Sequence, residues 1–140
     1  MAPVEGYGIT RDPQQAAYWY QQAANSGHPE AQYFLALLYA SGKGVKRDAE
    51  QAERWISSSA TQGYAPAMAE LGKRFATGNG VAQNDKLAYF WLTLAFLHSD
   101  KSEEKLRTAE AAKLTPADVA AQEHAAQNWK PRMASAKPKQ

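Results

Sequence analysis

One string returns at a fixed interval. Gly42-Lys-Gly44-Val45-Lys-Arg-Asp48, followed by Ala52 and Trp55, reappears as Gly78-Asn-Gly80-Val81-Ala-Gln-Asn84 with Ala88 and Trp91 behind it. Near the N-terminus it stands as Gly6-Tyr-Gly8-Ile9-Thr-Arg-Asp12, with Ala16 and Trp19. The second glycine falls at 8, 44 and 80 and the tryptophan at 19, 55 and 91, an offset of 36 residues each time. Such a period marks an array of helical units, none of which can bury its own apolar face without stacking on a neighbour.

Each string lies between two helix signals. Before it, Ala31, Leu35 and Tyr39 recur as Ala67, Leu71 and Phe75, an i, i+4, i+8 stripe that predicts helices over roughly 30–40 and 66–76. Small residues at Ala36 and Gly72 allow a neighbouring helix to approach closely. After it, Asp12, Asp48 and Asn84 are N-cap residues whose side chains accept backbone N–H groups of the first turn. Pro13 suits the first helical position, and Gln15 and Gln51 stand where a capping box closes. Gly27 and Gly63 then stop the helices as left-handed caps. The expected buried stripes of these second helices are Ala16/Trp19/Ala23, Ala52/Trp55/Ser59 and Ala88/Trp91/Ala95.

The glycine string itself is a structural turn. It lacks the Gly-Lys-Ser/Thr of a phosphate loop and the strand that precedes a dinucleotide site. Its first glycine is expected at positive φ and its second where chain passes close by, with Ile9, Val45 and Val81 plugging the gap between helices.

The repeat pattern resembles that of the Sel1-like family, relatives of the tetratricopeptide repeats. Ala31, Leu35, Tyr39, Gly42, Gly44, Val45, Asp48, Ala52, Trp55, Ala60 and Gly63 carry the resemblance, and Ala67, Leu71, Gly72, Phe75, Gly78, Gly80, Val81, Ala88 and Trp91 repeat it. Ala36, Phe75, Asn84 and Ser59 depart mildly from the family's Gly, Tyr, Asp and Ala. The resemblance implies an all-α, right-handed solenoid of helix pairs over residues 1–98, with the first repeat incomplete. Lys113-Leu-Thr-Pro116 and Trp129 are similar to the C-terminal helical cap of bacterial members, here 99–130, with Asp100 and Glu103 opening one cap helix to about Leu114 and Thr115 another to Trp129. Residues 131–140, with Pro131, Pro138 and several basic residues, read as a disordered basic tail.

Composition narrows the function classes. Residues 1–100 hold eight Lys/Arg against nine Asp/Glu, whereas 101–140 hold eight against five, so the net charge of +2 is a property of the C-terminal end. Nucleic-acid binding needs a basic face interleaved with aromatics on the folded part, and none is written there. The chain contains no cysteine, which removes disulfides and thiolate metal sites. No apolar run reaches the ~18 residues of a membrane span, and no signal-peptide pattern opens the chain, which leaves cytoplasm or periplasm open for a bacterial protein. His28, His98 and His124 are too scattered for a metal site, and the resemblance implies no cofactor. Ser102-x-x-Lys105 lacks the companion motifs of penicillin-binding enzymes, and Ser57–Ser59 have no His and Asp context, so no catalytic residue is assigned.

What the resemblance implies instead is a non-enzymatic protein-interaction module, a bacterial adaptor, regulator or scaffold, with an immunity protein against a secreted toxic enzyme as its narrowest form. Family geometry places Glu30, Tyr33 and Leu37 on the concave face, joined by Ala69, Lys73, Arg74 and Thr77 from the next repeat. The apolar strip of Tyr33, Phe34, Leu37 and Leu38 beside Lys73 and Arg74 is expected to take an amphipathic partner segment with an acidic end, the alternative for Phe34 and Leu38 being to pack against the helix of Trp19. The alternative is self-association: an incomplete first repeat leaves the side of Ala16, Trp19 and Ala23 open for a homodimer.

Overall fold

A computed structural model describes residues 12–132, and every regular element among them is a helix. They are α1 (Pro13–Asn25), α2 (Pro29–Ser41), α3 (Ala49–Thr61), α4 (Ala65–Thr77), α5 (Asp85–Leu97), α6 (Glu104–Ala112) and α7 (Pro116–Gln127). Each of α1 to α4 packs on its successor, and both α6 and α7 lie against α5, which closes the solenoid. The Gly6-x-Gly8-Ile9 copy of the turn falls outside the described residues.

The helix starts follow from side-chain chemistry. The Asp12 carboxylate accepts from the N–H groups of Gln14 and Gln15 at 3.1 and 3.2 Å, and Asp48 accepts from Glu50 and Gln51 at 3.1 Å each. Asn84 accepts from Leu87 N–H at 3.0 Å, and Thr115 from Asp118 N–H at 3.1 Å. Gln51 does not close a capping box. The Asp48 N–H donates instead to the Tyr39 carbonyl at 2.9 Å, and the Asn84 N–H to the Phe75 carbonyl at the same distance. One bond therefore satisfies an orphan donor at the start of one helix and an orphan acceptor at the end of the previous one.

Helix stops come in two kinds. After α2 and α4, Gly42 and Gly78 both take φ 78° and donate to the carbonyls of Leu38 and Arg74 at 2.7 Å. After α1 and α3, Gly27 and Gly63 take φ 95° and 105°; His28 and Tyr64 N–H then reach back to the Ala23 and Ser59 carbonyls, a Schellman pattern. The same pattern ends α5 without a glycine. Ser99 takes φ 77° there, and the Asp100 N–H reaches the Ala95 carbonyl at 2.9 Å. A left-handed L-residue costs about 1–2 kcal/mol, part of which a glycine returns as unfolded-chain entropy. Ser99→Gly is accordingly expected to stabilise the fold by about 0.5–1 kcal/mol, seen as a higher urea midpoint at unchanged slope.

Two of the three expected stripes are core. Ala52, Ser59, Ala88 and Ala95 are buried with Trp55 and Trp91 packed beside them, whereas Trp19 is 53% exposed and Ala16 and Ala23 are only half-buried. The main cluster joins Ala36, Ile56, Ala60, Ala67, Met68, Leu71, Leu94 and Ala126, so the cap helix α7 contributes to the same core as the repeats. Polar ties cross between neighbouring helices: the Ser59 hydroxyl donates to the Pro29 carbonyl at 2.7 Å, and buried Gln32 bonds the Ala24 carbonyl while accepting from Gln62.

The cap departs from expectation at its opening. Asp100 does not cap α6; it accepts from the Ser102 N–H at 3.0 Å, and α6 begins at Glu104 with no side-chain cap. Glu103 reaches Lys73 instead. Arg107 anchors α6 by lying 4.3 Å over the Phe96 ring while its guanidinium bonds Glu104. Tyr89 donates to Glu123 of α7 at 2.7 Å, and Trp129 packs edge-on against Trp91 and His98. Order continues past the expected start of the tail, because the Arg132 N–H donates to the Thr61 carbonyl at 2.7 Å. Residues 133–140 lie outside the described residues.

Candidate functional site

The first helices of successive pairs, α2 and α4, share a face that ends at the loop before α6. On α2 this face carries Glu30, Tyr33, Phe34 and Leu37, at helical spacing that brings them over one another. Four rings run across it: Tyr20 of α1 stacks on Phe34 at 5.5 Å, Phe34 meets Tyr33 edge-on at 5.3 Å, and Tyr33 meets Tyr64 at 5.5 Å. Tyr64 is placed by the Schellman stop before α4, which turns its ring back toward α2. Phe34 is 41% exposed, and Tyr33, Leu37 and Tyr64 are half-buried.

Carboxylates border the rings. Burial, followed by the Glu70 carboxylate, Tyr64 and Asp100, pushes the Tyr33 phenol above its ordinary range, with Lys73 opposing. Burial, then Glu30 and Asp100, pushes Tyr64 up in the same way. Asp100 therefore acts on both tyrosines, with Glu70 on Tyr33 and Glu30 on Tyr64. Lys73 bridges Glu70 at 3.5 Å and Glu103 at 3.6 Å, and the Glu70 charge, reinforced by Glu103, raises its ammonium above the usual lysine range.

Two of the residues expected on this face are not available to a partner. Ala69 is buried in the main core cluster, and Arg74 is 4% exposed. Arg74 turns inward to bond Glu70 at 3.0 Å, and its guanidinium also fills the space beside Gly80. A buried guanidinium keeps a carboxylate partner because an unpaired one is costly. Glu30, Tyr33, Leu37, Lys73 and Thr77 stay at the surface to differing degrees, and Tyr33 and Lys73 are brought together. Tyr64, Asp100 and Glu103 join the face unforeseen. Phe34 belongs to the expected apolar strip and also packs on the helix of Trp19 through Tyr20, whereas Tyr64 and Asp100 sit in loops that periodicity does not place.

The hydroxyls of Ser57, Ser59 and Ser102 bond Glu53, the Pro29 carbonyl and Asp100, so each is engaged structurally. His28 is exposed at the start of α2, His98 lies 2.9 Å from the Leu94 carbonyl, and His124 contacts Asn128. Among the described residues no three His, Asp or Glu side chains converge as a metal requires. No described helix is long and apolar enough to cross a membrane. A second acidic pair lies elsewhere, where Glu110, 1% exposed, is linked to Asp85 and Lys113. Burial pushes the Glu110 carboxyl above its ordinary range while the neighbouring Glu110 side chain holds Asp85 below its own, and Lys113 bridges Glu110 at 2.8 Å and Asp85 at 3.7 Å, which ties α6 to the start of α5.

Comparison with known proteins fits this geometry. The Sel1 repeat family model matches residues 2–28, 29–64 and 65–100, and the last two matches coincide with the pairs α2–α3 and α4–α5. No curated protein matches the chain. Among solved structures, a protective antigen of uropathogenic Escherichia coli, c5321, which displays an SLR fold, superposes with a TM-score of 0.71 at 25% identity, covering 91% of this chain. A Sel1 repeat protein from Oxalobacter formigenes superposes with a TM-score of 0.70 at 34% identity over 74% of this chain. The chain spans 31% and 42% of those two proteins.

Proposed function

The chain belongs to the Sel1 repeat family, and we propose that it is a non-enzymatic protein-interaction module, an adaptor or scaffold, that seats a segment of a partner on the α2–α4 face. The observation that carries this reading is the ring ladder Tyr20–Phe34–Tyr33–Tyr64, held partly exposed on rigid helices. Rigid aromatics at a surface supply contact area with little ordering cost and are the side chains on which binding energy concentrates. Glu30, Tyr33, Leu37, Lys73 and Thr77 are the contact residues proposed, without Ala69 and Arg74.

Self-association is the second reading, favoured by Tyr18 and Trp19, which are 55% and 53% exposed beside each other on α1. One experiment separates the two. A photo-crosslinking residue at Leu37 is expected to capture a partner protein in cells, and Tyr33→Ala or Leu37→Asp to lower that capture tenfold or more at unchanged helicity. Capture that persists in both variants but disappears with Trp19→Ser, with a second copy of the chain as the crosslinked species, would sink the interaction reading in favour of a homodimer.

A further inference from the structure

The expected acidic partner does not suit the face as it is built. Glu30, Glu70 and Asp100 act on the tyrosine pair and Glu103 stands behind Lys73, so four carboxylates face two cations, Lys73 and Arg74. Arg74 is buried and engaged by Glu70, and Lys73 lies between Glu70 and Glu103, so neither cation is free for an incoming carboxylate. Lys101, the next cation along the chain, folds away over the Phe96 ring at 5.3 Å. The ring faces and the surplus carboxylates act in one direction. Aromatic faces attract cations through their quadrupole, and a planar guanidinium can stack on a tyrosine while bonding a carboxylate.

We propose that the α2–α4 face recognises a basic partner segment, inserting an arginine beside Tyr33 and Tyr64 under Glu30 and Asp100 and laying an adjacent apolar side chain on Phe34 and Leu37. This rests on the interaction reading above and gives it a chemistry. The carboxylates set which segments are accepted and speed their encounter, while the rings hold what docks. An acidic segment is rejected, because it would bring like charge to four carboxylates whose cations are already engaged.

The test titrates the isotope-labelled full chain with three capped pentapeptides, acetyl-Gly-Leu-X-Trp-Gly-amide, in which X is arginine, citrulline or glutamate. Citrulline keeps the shape of arginine and removes its charge. The arginine peptide is expected to shift resonances of Tyr33, Leu37 and Tyr64, at least fivefold tighter than the citrulline peptide at low salt. The gap is expected to narrow with added salt and in Glu30→Gln. Equal binding of the arginine and citrulline peptides, or tighter binding of the glutamate peptide, overturns the proposal but leaves the face as a docking surface. Shifts confined to other helices, or none with any peptide, overturn the proposal together with the reading beneath it. Concentration-dependent shifts of the same resonances in the protein alone would place a second copy there and overturn it as well.

Discussion

Gly44→Ala is expected to unlatch α1 from the repeat array. Gly44 takes φ 75°, and a Cβ added there would lie 2.1 Å from the Pro13 carbonyl oxygen and 2.9 Å from the Gln14 nitrogen. These are backbone atoms in the first turn of a capped helix, so no rotamer change relieves the collision. Positive φ alone costs an alanine about 1–2 kcal/mol. Gly80 provides the internal control, because it takes φ 84° while its added Cβ would meet no backbone atom, only the end of the Arg74 side chain at 3.3 Å, which a shift of a few tenths of an ångström relieves. Gly80→Ala is therefore expected to cost the conformational part, and Gly44→Ala about 1–2 kcal/mol more, which the chain limits by letting α1 move away. Hydrogen exchange separates the two effects: α1 amides lose protection in Gly44→Ala, while those of α4 and α5 fall only as far as in Gly80→Ala. Equal protection of α1 in both variants would remove the latch.

That contrast also shows how much the sequence could carry. The three copies of the turn located every repeat helix among the described residues, because a glycine at a stop and an aspartate or asparagine at a cap are chemical requirements visible in one residue. The role of Gly44 in holding α1 was not visible, since it arises from a neighbour 31 positions earlier that only the stacked fold brings within reach. Ser99 shows the converse. It adopts the left-handed conformation of Gly27 and Gly63 one period after Gly63, and a serine, unlike a glycine, does not announce that conformation. At the candidate face, Tyr33, Leu37 and Lys73 were placed by repeat geometry. Arg74 was misplaced because its counterpart Leu38 gives no hint of an inward arginine, which depends on Glu70 one turn before it and on the open space at Gly80.

The charge reading changed for the same reason. Lys73 and Arg74 look like a basic edge when read along α4. Glu70 and Glu103 approach them from one turn earlier and from the start of the cap, and the face becomes acidic. A solenoid fixes such juxtapositions by its pitch, so whatever sets the distance between helices also sets the chemistry of the surface.

Gly72 sets that distance at the centre of the array, and Gly72→Ala is expected to destabilise the protein although it improves helix propensity. On an exposed helix the change would gain about 1 kcal/mol. Here the new Cβ would stand 2.7 Å from Cγ of Leu92, 2.9 Å from its Cδ2 and 3.1 Å from its backbone nitrogen, against a side chain only 2% exposed. Overpacking of a filled core costs typically about 1–3 kcal/mol, and displacement of a backbone stands at the upper end, so a net loss of about 1–2 kcal/mol is expected. The preceding repeat carries Ala36 and Ile56 at the equivalent positions, both fully buried, which shows that one methyl more is tolerated where the opposing side chain branches differently. Leu92→Ala supplies the decisive comparison. Alone it costs about 2–5 kcal/mol by opening a cavity, but combined with Gly72→Ala it makes room for the added methyl. Urea unfolding of the four variants is expected to give a favourable coupling of about 1 kcal/mol or more. Strict additivity would mean that α4 and α5 have already moved apart, and that Gly72 does not determine their separation.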